Sequence, residues 1–189
     1  MSNARTEAYV PCGTWWCTIR FMRPISVFID VPHERERVYA FLDVMANHER
    51  FTDHMLRDWT CSGPASGVGA KARVINVLGG RSVPVDIEVV DAVRCEHNTE
   101  RNVSSNGRRV GYGTYTLSDV PQSGTRVTFT YKWQRAPLED RLLAPVVRPM
   151  MRRAFQRALE RLADELARPE AGGHDTAHGR PAPASARAR

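Results

Sequence analysis

The stretch that decides the fold is residues 125–168, TRVTFTYKWQRAPLEDRLLAPVVRPMMRRAFQRALERLADELAR. Its first part alternates between apolar and polar residues, which predicts a strand with a bulky face made of Val127, Phe129, Tyr131 and Trp133. From about residue 138 the apolar residues recur instead with the period of a helix, as far as about residue 168. The sequence therefore predicts a strand followed by one long C-terminal helix.

The helical stripe is wide enough to predict burial along most of the helix. Pro145 and Pro149 each remove a backbone hydrogen bond, so a bend or break is expected there. The expectation is a short leading helix followed by one long helix.

Upstream, the pattern begins with a strand and two short helices and continues with strands. The strand ISVFIDV occupies residues 25–31, and helical spacing follows in residues 33–45 and 47–51. Further strands are predicted at residues 56–63, 67–78, 82–93, 95–103 and 110–117. The predicted fold class is α+β, a curved antiparallel sheet of about seven strands wrapped around one long C-terminal helix. Curvature leaves a space under the helix, which is either core or pocket.

Length and composition predict one folded domain with extensions. The chain has 189 residues, of which 42% are hydrophobic, which is ordinary for a globular protein. The domain is expected at residues 23–168, with an N-terminal extension at 1–22 and a disordered, Gly-, Pro-, Ala- and Arg-rich tail at 169–189. The sequence does not distinguish a translation start at Met1 from one at Met22.

Charge and cysteine usage exclude several function classes. The net charge of +6 comes from acidic and basic residues that are mixed along most of the chain, so no nucleic-acid partner is predicted. No apolar run is long enough for an integral membrane segment. The four cysteines show no metal-binding spacing, so no metal or other cofactor is predicted, and Cys61 and Cys95 are expected to be small buried residues. Reduced thiols and the lack of a signal peptide predict a cytoplasmic protein. The oligomeric state is open.

Four segments in order resemble the START-like helix-grip superfamily (SRPBCC), in particular its polyketide cyclase/dehydrase-type members. They are VPHERERVYAFLD (31–43), GVGAKARV (67–74), GYGTYTLSDVPQSGTRVTFTYKW (111–133) and RALERLADEL (157–166). The resemblance implies a hydrophobic cavity between sheet and helix that binds lipids, polyketides, quinones or other apolar molecules. Some relatives catalyse aldol cyclisation or dehydration, and others bind or transport. The family has no universal catalytic motif, so no catalytic residue is carried over.

Apolar and aromatic side chains are the main candidates for contacts with an apolar ligand. Rings with a polar edge suit a ring-bearing ligand, and flexible thioethers suit an adaptable wall. The candidates are Trp59, Ile87, Tyr115, Phe129, Tyr131, Trp133, Met150, Met151 and Phe155. The alternative is that they simply fill the core: a single one of these residues is more often core, whereas the set as a whole favours partial lining of a cavity.

Two arginines pose a sharper question. Arg73 shares a strand face with Ile75 and Val77, and Arg101 shares a phase with His97. If these faces point inward, each guanidinium needs a carboxylate or a ligand oxygen. Otherwise the two side chains face solvent. Arg73 and Arg101 are therefore candidate ligand contacts.

A cyclase would need a base and a donor for the enolate oxygen. Candidate bases are Asp53, His54 and His97, candidate donors are Arg73, Tyr115 and Tyr131, and no spacing connects them. His33 and His48 begin helices and are expected to be solvated. The leading hypothesis is binding or carrying of an apolar small molecule. The alternatives are a polyketide cyclase or dehydratase in the same cavity, and an interaction module that uses the basic helix surface.

Overall fold

Seven antiparallel strands form one curved sheet in the computed structural model, which describes residues 22–121 and 124–168. The spatial order is β1-β7-β6-β5-β4-β3-β2, so the first strand lies beside the last. The strands are β1 (Ile25–Val31), β2 (Leu56–Ser62), β3 (Lys71–Leu78), β4 (Arg81–Val93), β5 (His97–Ser104), β6 (Arg109–Val120) and β7 (Gly124–Arg135). The predicted fold class is confirmed. The tail at 169–189 and nearly all of the predicted N-terminal extension lie outside the described residues.

Three α-helices complete the fold. Between β1 and β2 lie α1 (Arg35–Asp43), a short 3-10 turn (Met45–Asn47) and α2 (His48–Thr52), and α3 (Leu138–Ala167) follows β7. The long helix packs mainly against β1, β7 and α2. It therefore covers one half of the concave face and leaves the region of β3, β4 and β5 less covered.

The proline pair does not interrupt α3. A single helix of 30 residues contains both Pro145 and Pro149, so the expected leading helix and break are wrong. The two prolines are four residues apart and therefore lie on the same side of the helix. Both are exposed, as is Arg141, so the carbonyl groups that lose their helical donor face water and can be hydrated.

The apolar stripe of α3 is buried only in its second half, which corrects the expectation of burial along most of the helix. The buried residues of α3 begin at Phe155 and continue to Leu166. Leu142 and Val146, by contrast, are 81% and 65% exposed. The first half of α3 lies opposite the less covered part of the sheet without packing closely against it.

The buried apolar residues form two clusters. One joins α1 and α3 to β1, β6 and β7, and the other joins β3, β4 and the 3-10 turn. Cys61 is exposed and Cys95 half-buried, so the expected burial of both is wrong. No helix of the described residues is both long and apolar enough to cross a membrane.

Candidate functional site

A cavity of about 220 Å³ lies between the concave face of the sheet and α3. Most of its wall is apolar, formed by Met22, Met55, Leu56, Trp59, Leu78, Val83, Val85, Ile87, Phe129, Trp133, Leu143, Val147, Met151, Ala154 and Phe155. The polar part of the wall consists of His48, Thr52, Asn76, Arg81, Glu100, Asn102, Ser104, Arg109, Tyr115, Tyr131 and Asp140. Arg81 and Leu143 are exposed, so the cavity reaches the surface between the β3–β4 turn and the first half of α3.

Two glycines of β6 make room for the aromatic wall. Gly111 and Gly113 occupy concave-face positions of β6, where a side chain would project into the cavity region. A Cβ atom at Gly111 would lie 2.2 Å from the Tyr131 hydroxyl oxygen, and one at Gly113 would lie 2.9 Å from two ring atoms of Phe129. The rings of Tyr131 and Phe129 therefore occupy the space that side chains at these two positions of β6 would fill. The pattern GYG at residues 111–113 has this steric role.

The aromatic side chains form a continuous series from α2 to α3. Tyr115 and Phe129 have ring centroids 4.7 Å apart, and Phe129 and Phe155 have centroids 4.9 Å apart in a T-shaped arrangement. Tyr131 extends the series to Trp133 at 5.1 Å. Such faces and edges suit a planar ring placed against them.

At the inner end of the cavity, α2 meets β5 through a buried imidazole and carboxylate. Nδ1 of His48 lies 2.9 Å from Oε1 of Glu100, and the two residues are 2% and 6% exposed. Nε2 of His48 lies 2.7 Å from the carbonyl oxygen of Leu42, to which it donates its proton. The Thr52 hydroxyl donates to the His48 carbonyl at 2.6 Å, which fixes the short helix that carries the imidazole.

The inner groups have perturbed proton affinities. Burial by itself lowers the pKa of His48, but the adjacent Glu100 carboxylate and the Leu42 carbonyl outweigh burial and raise that pKa above its usual value of 6.5. Burial, assisted by the charge of Glu100, raises the pKa of Tyr115 well above 10. The inner end therefore combines an ion pair with a phenol that remains a neutral hydrogen-bond donor.

A second ion pair lies at the outer end of the cavity. The guanidinium of Arg109 on β6 makes two hydrogen bonds of 2.6 Å to the Asp140 carboxylate in the first turn of α3. This paired geometry is the strong, directional form of an arginine–carboxylate contact. Burial raises the pKa of the neighbouring Tyr131 to about 12, so its hydroxyl is also a neutral donor.

Most of the sequence-predicted ligand contacts surround this cavity, and three do not. Those in its wall are Trp59, Ile87, Tyr115, Phe129, Tyr131, Trp133, Met151 and Phe155. Their role in ligand binding stays a prediction.

Arg73, Arg101 and Met150 lie elsewhere, which corrects the expectation for them. Arg73 faces the convex side, where its Nε is 2.7 Å from Asp86 and its side chain is 72% exposed. The other two residues are half-buried, Arg101 in the same outward phase as His97 and Met150 with its sulfur over Gly79 at the β3–β4 turn. Ala72 and Val74 occupy the inward face of β3, so alternation turns Arg73 outward.

The candidate bases are also placed outside the cavity wall. The Asp53 carboxylate pairs with Arg161 of α3, and Nε2 of His54 donates to the Ala154 carbonyl at 3.0 Å. Burial lowers the pKa of His54. His97 contacts Asp91 at 2.8 Å on the convex face. None of these three groups lines the cavity, whereas the donors Tyr115 and Tyr131 do.

Sequence reasoning missed the polar residues that line the inner wall. The inward residues of β5 include Glu100, Asn102 and Ser104, and His48 is buried although solvation was expected. One signal was available: HNTERNVS is a strand near the middle of the sheet with only one strongly apolar residue. A central strand that is polar on both faces indicates a polar wall rather than packed core.

Metal-ligating side chains do not cluster in the described residues, where no group of three or more His, Cys, Asp or Glu side chains could hold an ion. The polar groups of the wall instead form pairs between neighbouring elements.

A family model described as polyketide cyclase/dehydrase and lipid transport matches residues 22–167, and no curated protein matches. The Zhui aromatase/cyclase from a Streptomyces species is similar with a TM-score of 0.65 at 14% identity, covering 80% of this chain and 98% of that one. A Thermus thermophilus protein is similar at 0.60 and 18% identity, covering 76% and 97%. Ara h 8.0201 is similar at 0.56 and 10% identity, covering 76% and 97%. At these identities the likenesses show the fold.

Proposed function

Because the chain belongs to the polyketide cyclase/dehydrase and lipid transport family, we propose that its cavity binds or carries an apolar, ring-bearing small molecule. The observation that carries this proposal is the cavity itself, which remains open between sheet and α3 despite the bulky aromatic residues around it. An apolar wall with a few convergent polar groups is the usual composition of a small-molecule site. Aromatic rings in that wall favour a planar ligand.

The cavity volume limits the ligand. An engineered protein cavity of roughly 150 Å³ holds benzene, so a cavity of about 220 Å³ accommodates a ligand the size of two fused rings. Typical sites for drug-sized ligands enclose roughly 300–1,000 Å³. A larger lipid or polyketide would therefore extend through the mouth beside Arg81 and Leu143.

A second candidate function, cyclase or dehydratase, is favoured by the inner polar cluster. Such chemistry needs a group that accepts a proton beside a carbonyl and a donor for the resulting oxyanion. Glu100 with His48 is a candidate for the first role, and the neutral Tyr115 for the second. The similar fold of the Zhui aromatase/cyclase is compatible with this candidate. The interaction module has less support, because the interior is open rather than filled.

The test is native mass spectrometry of the protein purified from its own host, followed by denaturing extraction and by titration with naphthalene. A co-purifying apolar molecule and saturable naphthalene uptake are the expected results. A supplied precursor recovered with a changed mass would support the cyclase. An empty protein that takes up no apolar ring would contradict the proposal.

A matched pair of variants assigns uptake to the cavity. Ala154→Trp places an indole in the cavity from a helical position and is expected to abolish naphthalene uptake. Glu160→Trp adds the same ring at an exposed position of α3 and should leave uptake unchanged. Equal effects of the two substitutions would locate uptake outside the cavity.

A further inference from the structure

The Glu100 carboxylate is an unusual group to find in an apolar cavity wall. It lies on the inward face of β5, and the residue is 6% exposed. Its Oε1 atom is buried and has no well-aligned hydrogen bond among the described residues, although Nδ1 of His48 is 2.9 Å away. The imidazole therefore balances the charge of the carboxylate without satisfying its hydrogen-bonding capacity.

His48 is held where it is and cannot turn to improve this contact. Its Nε2 donates to the Leu42 carbonyl at 2.7 Å, and its ring packs edge-on against Tyr115 with centroids 5.5 Å apart. A rotation toward Glu100 would break the first contact and disturb the second. A buried acceptor left in this condition carries an uncompensated desolvation cost, which is larger for a charged group. Such a cost is explained when the carboxylate, which lines the cavity, has a functional partner there.

We propose that Glu100 determines the specificity of the cavity by accepting a hydrogen bond from a hydroxyl group on the ligand, which is a phenol or an enol. This inference rests on the proposed function. An ionised carboxylate only accepts hydrogen bonds, so the ligand must donate. Ketone, ether and ester oxygens cannot donate, and a hydrocarbon has no polar group. Burial of Glu100 away from water strengthens a charge-assisted hydrogen bond to its carboxylate.

The alternative is a purely structural pair in which His48 and Glu100 only join α2 to β5. In that role Glu100 would contribute to stability but would not affect which ligand binds. If the role is structural, replacing Glu100 and removing the ligand hydroxyl affect binding independently. If Glu100 accepts the hydrogen bond, the two changes are coupled.

The experiment titrates the full chain with 2-naphthol, 2-methoxynaphthalene and naphthalene. The hydroxyl makes 2-naphthol the least hydrophobic of the three, so burial alone would favour the other two. We expect the wild-type protein to bind 2-naphthol roughly tenfold more tightly than either. This comparison requires no variant and does not depend on how a variant folds.

Two variants complete the test. Glu100→Gln should reduce the preference for 2-naphthol to within about threefold, because the neutral amide is a weaker acceptor. Glu88→Gln is the control, since Glu88 lies on the neighbouring strand but pairs with Lys71 on the convex face, and it should keep the full preference. An unchanged preference in Glu100→Gln would overturn the inference.

The outcomes also separate the inference from the proposed function. Binding of all three compounds with no preference for 2-naphthol would overturn the hydroxyl role and leave ligand binding supported. Failure of all three to bind the wild-type protein would overturn both.

Discussion

Nδ1 of His48 on α2 and Oε1 of Glu100 on β5 lie 2.9 Å apart in a region that is almost closed to water. The two residues are far apart in the sequence, and their contact places an ion pair at the inner end of an otherwise apolar cavity. Burial of two charges is favourable only when they are paired, since each would carry a desolvation cost of several kcal/mol alone.

The ionisation of His48 depends on Glu100. In the wild-type protein we expect the pKa of His48 to lie above 6.5, because the carboxylate outweighs the effect of burial. In Glu100→Gln, burial is no longer opposed by that charge, and the pKa should fall below 6.5. NMR titration of the imidazole protons measures both values. An unchanged pKa in the variant would contradict the pairing.

The raised pKa of His48 makes the stability of the protein depend on pH. Because the folded-state pKa of His48 is above that of the unfolded chain, its contribution is fully present below about pH 6.5. It is lost as the pH rises through the folded-state value. The free energy of unfolding, measured with denaturant between pH 6 and 9, should therefore decrease with rising pH in the wild-type protein. This decrease should be absent from Glu100→Gln. A decrease of equal size in both proteins would assign it to other groups.

Gly113 is expected to tolerate no side chain. A Cβ there would be 2.9 Å from Cε2 and Cζ of Phe129, so Gly113→Ala should push the ring into the cavity. We expect a loss of about 1–3 kcal/mol in the free energy of unfolding and weaker naphthalene uptake. Thr116→Ala, at an exposed position of the same strand, should cost at most about 1 kcal/mol and leave uptake unchanged. Equal behaviour of the two variants would contradict the steric role of Gly113.

The ion pair at the outer end should hold the first turn of α3. Asp140→Asn removes the charge from a two-hydrogen-bond contact with Arg109, and we expect a loss of about 1–2 kcal/mol in the free energy of unfolding and faster amide exchange in that turn. The control is Glu139→Gln, whose more exposed pair with Arg108 should contribute less than about 0.5 kcal/mol. Indistinguishable exchange in both variants would show that the Arg109 contact does not restrain the helix.

Arg73 should have no part in binding. Its guanidinium pairs with Asp86 on the exposed convex face, so Arg73→Ala is expected to change stability by at most about 0.5 kcal/mol. Naphthalene affinity, followed by titration, should be unchanged. A loss of naphthalene affinity of tenfold or more would contradict the conclusion that Arg73 lies outside the binding site.

Local patterning was sufficient for the fold because each element signals its own buried face. The alternation of β7 placed Phe129, Tyr131 and Trp133 on one side, and the helical period after residue 138 identified α3. This reasoning was wrong at Pro145 and Pro149, where it predicted a break in the helix. Helix propensity does not reveal that the carbonyl groups left without a helical donor face water. Nor does it reveal that the first half of α3 lies beyond most of its packing partners.

The sequence by itself determined the architecture, the family resemblance and most of the apolar residues that face the concave side, because periodicity and local motifs are properties of neighbouring residues. Only the tertiary structure decided the polar side. In β5 both faces are mainly polar, so alternation cannot tell whether Glu100 or Arg101 points inward. The burial of His48 likewise depends on where α2 meets a strand some fifty residues later. The contact of His48 with Glu100 is long-range, and no local pattern encodes it.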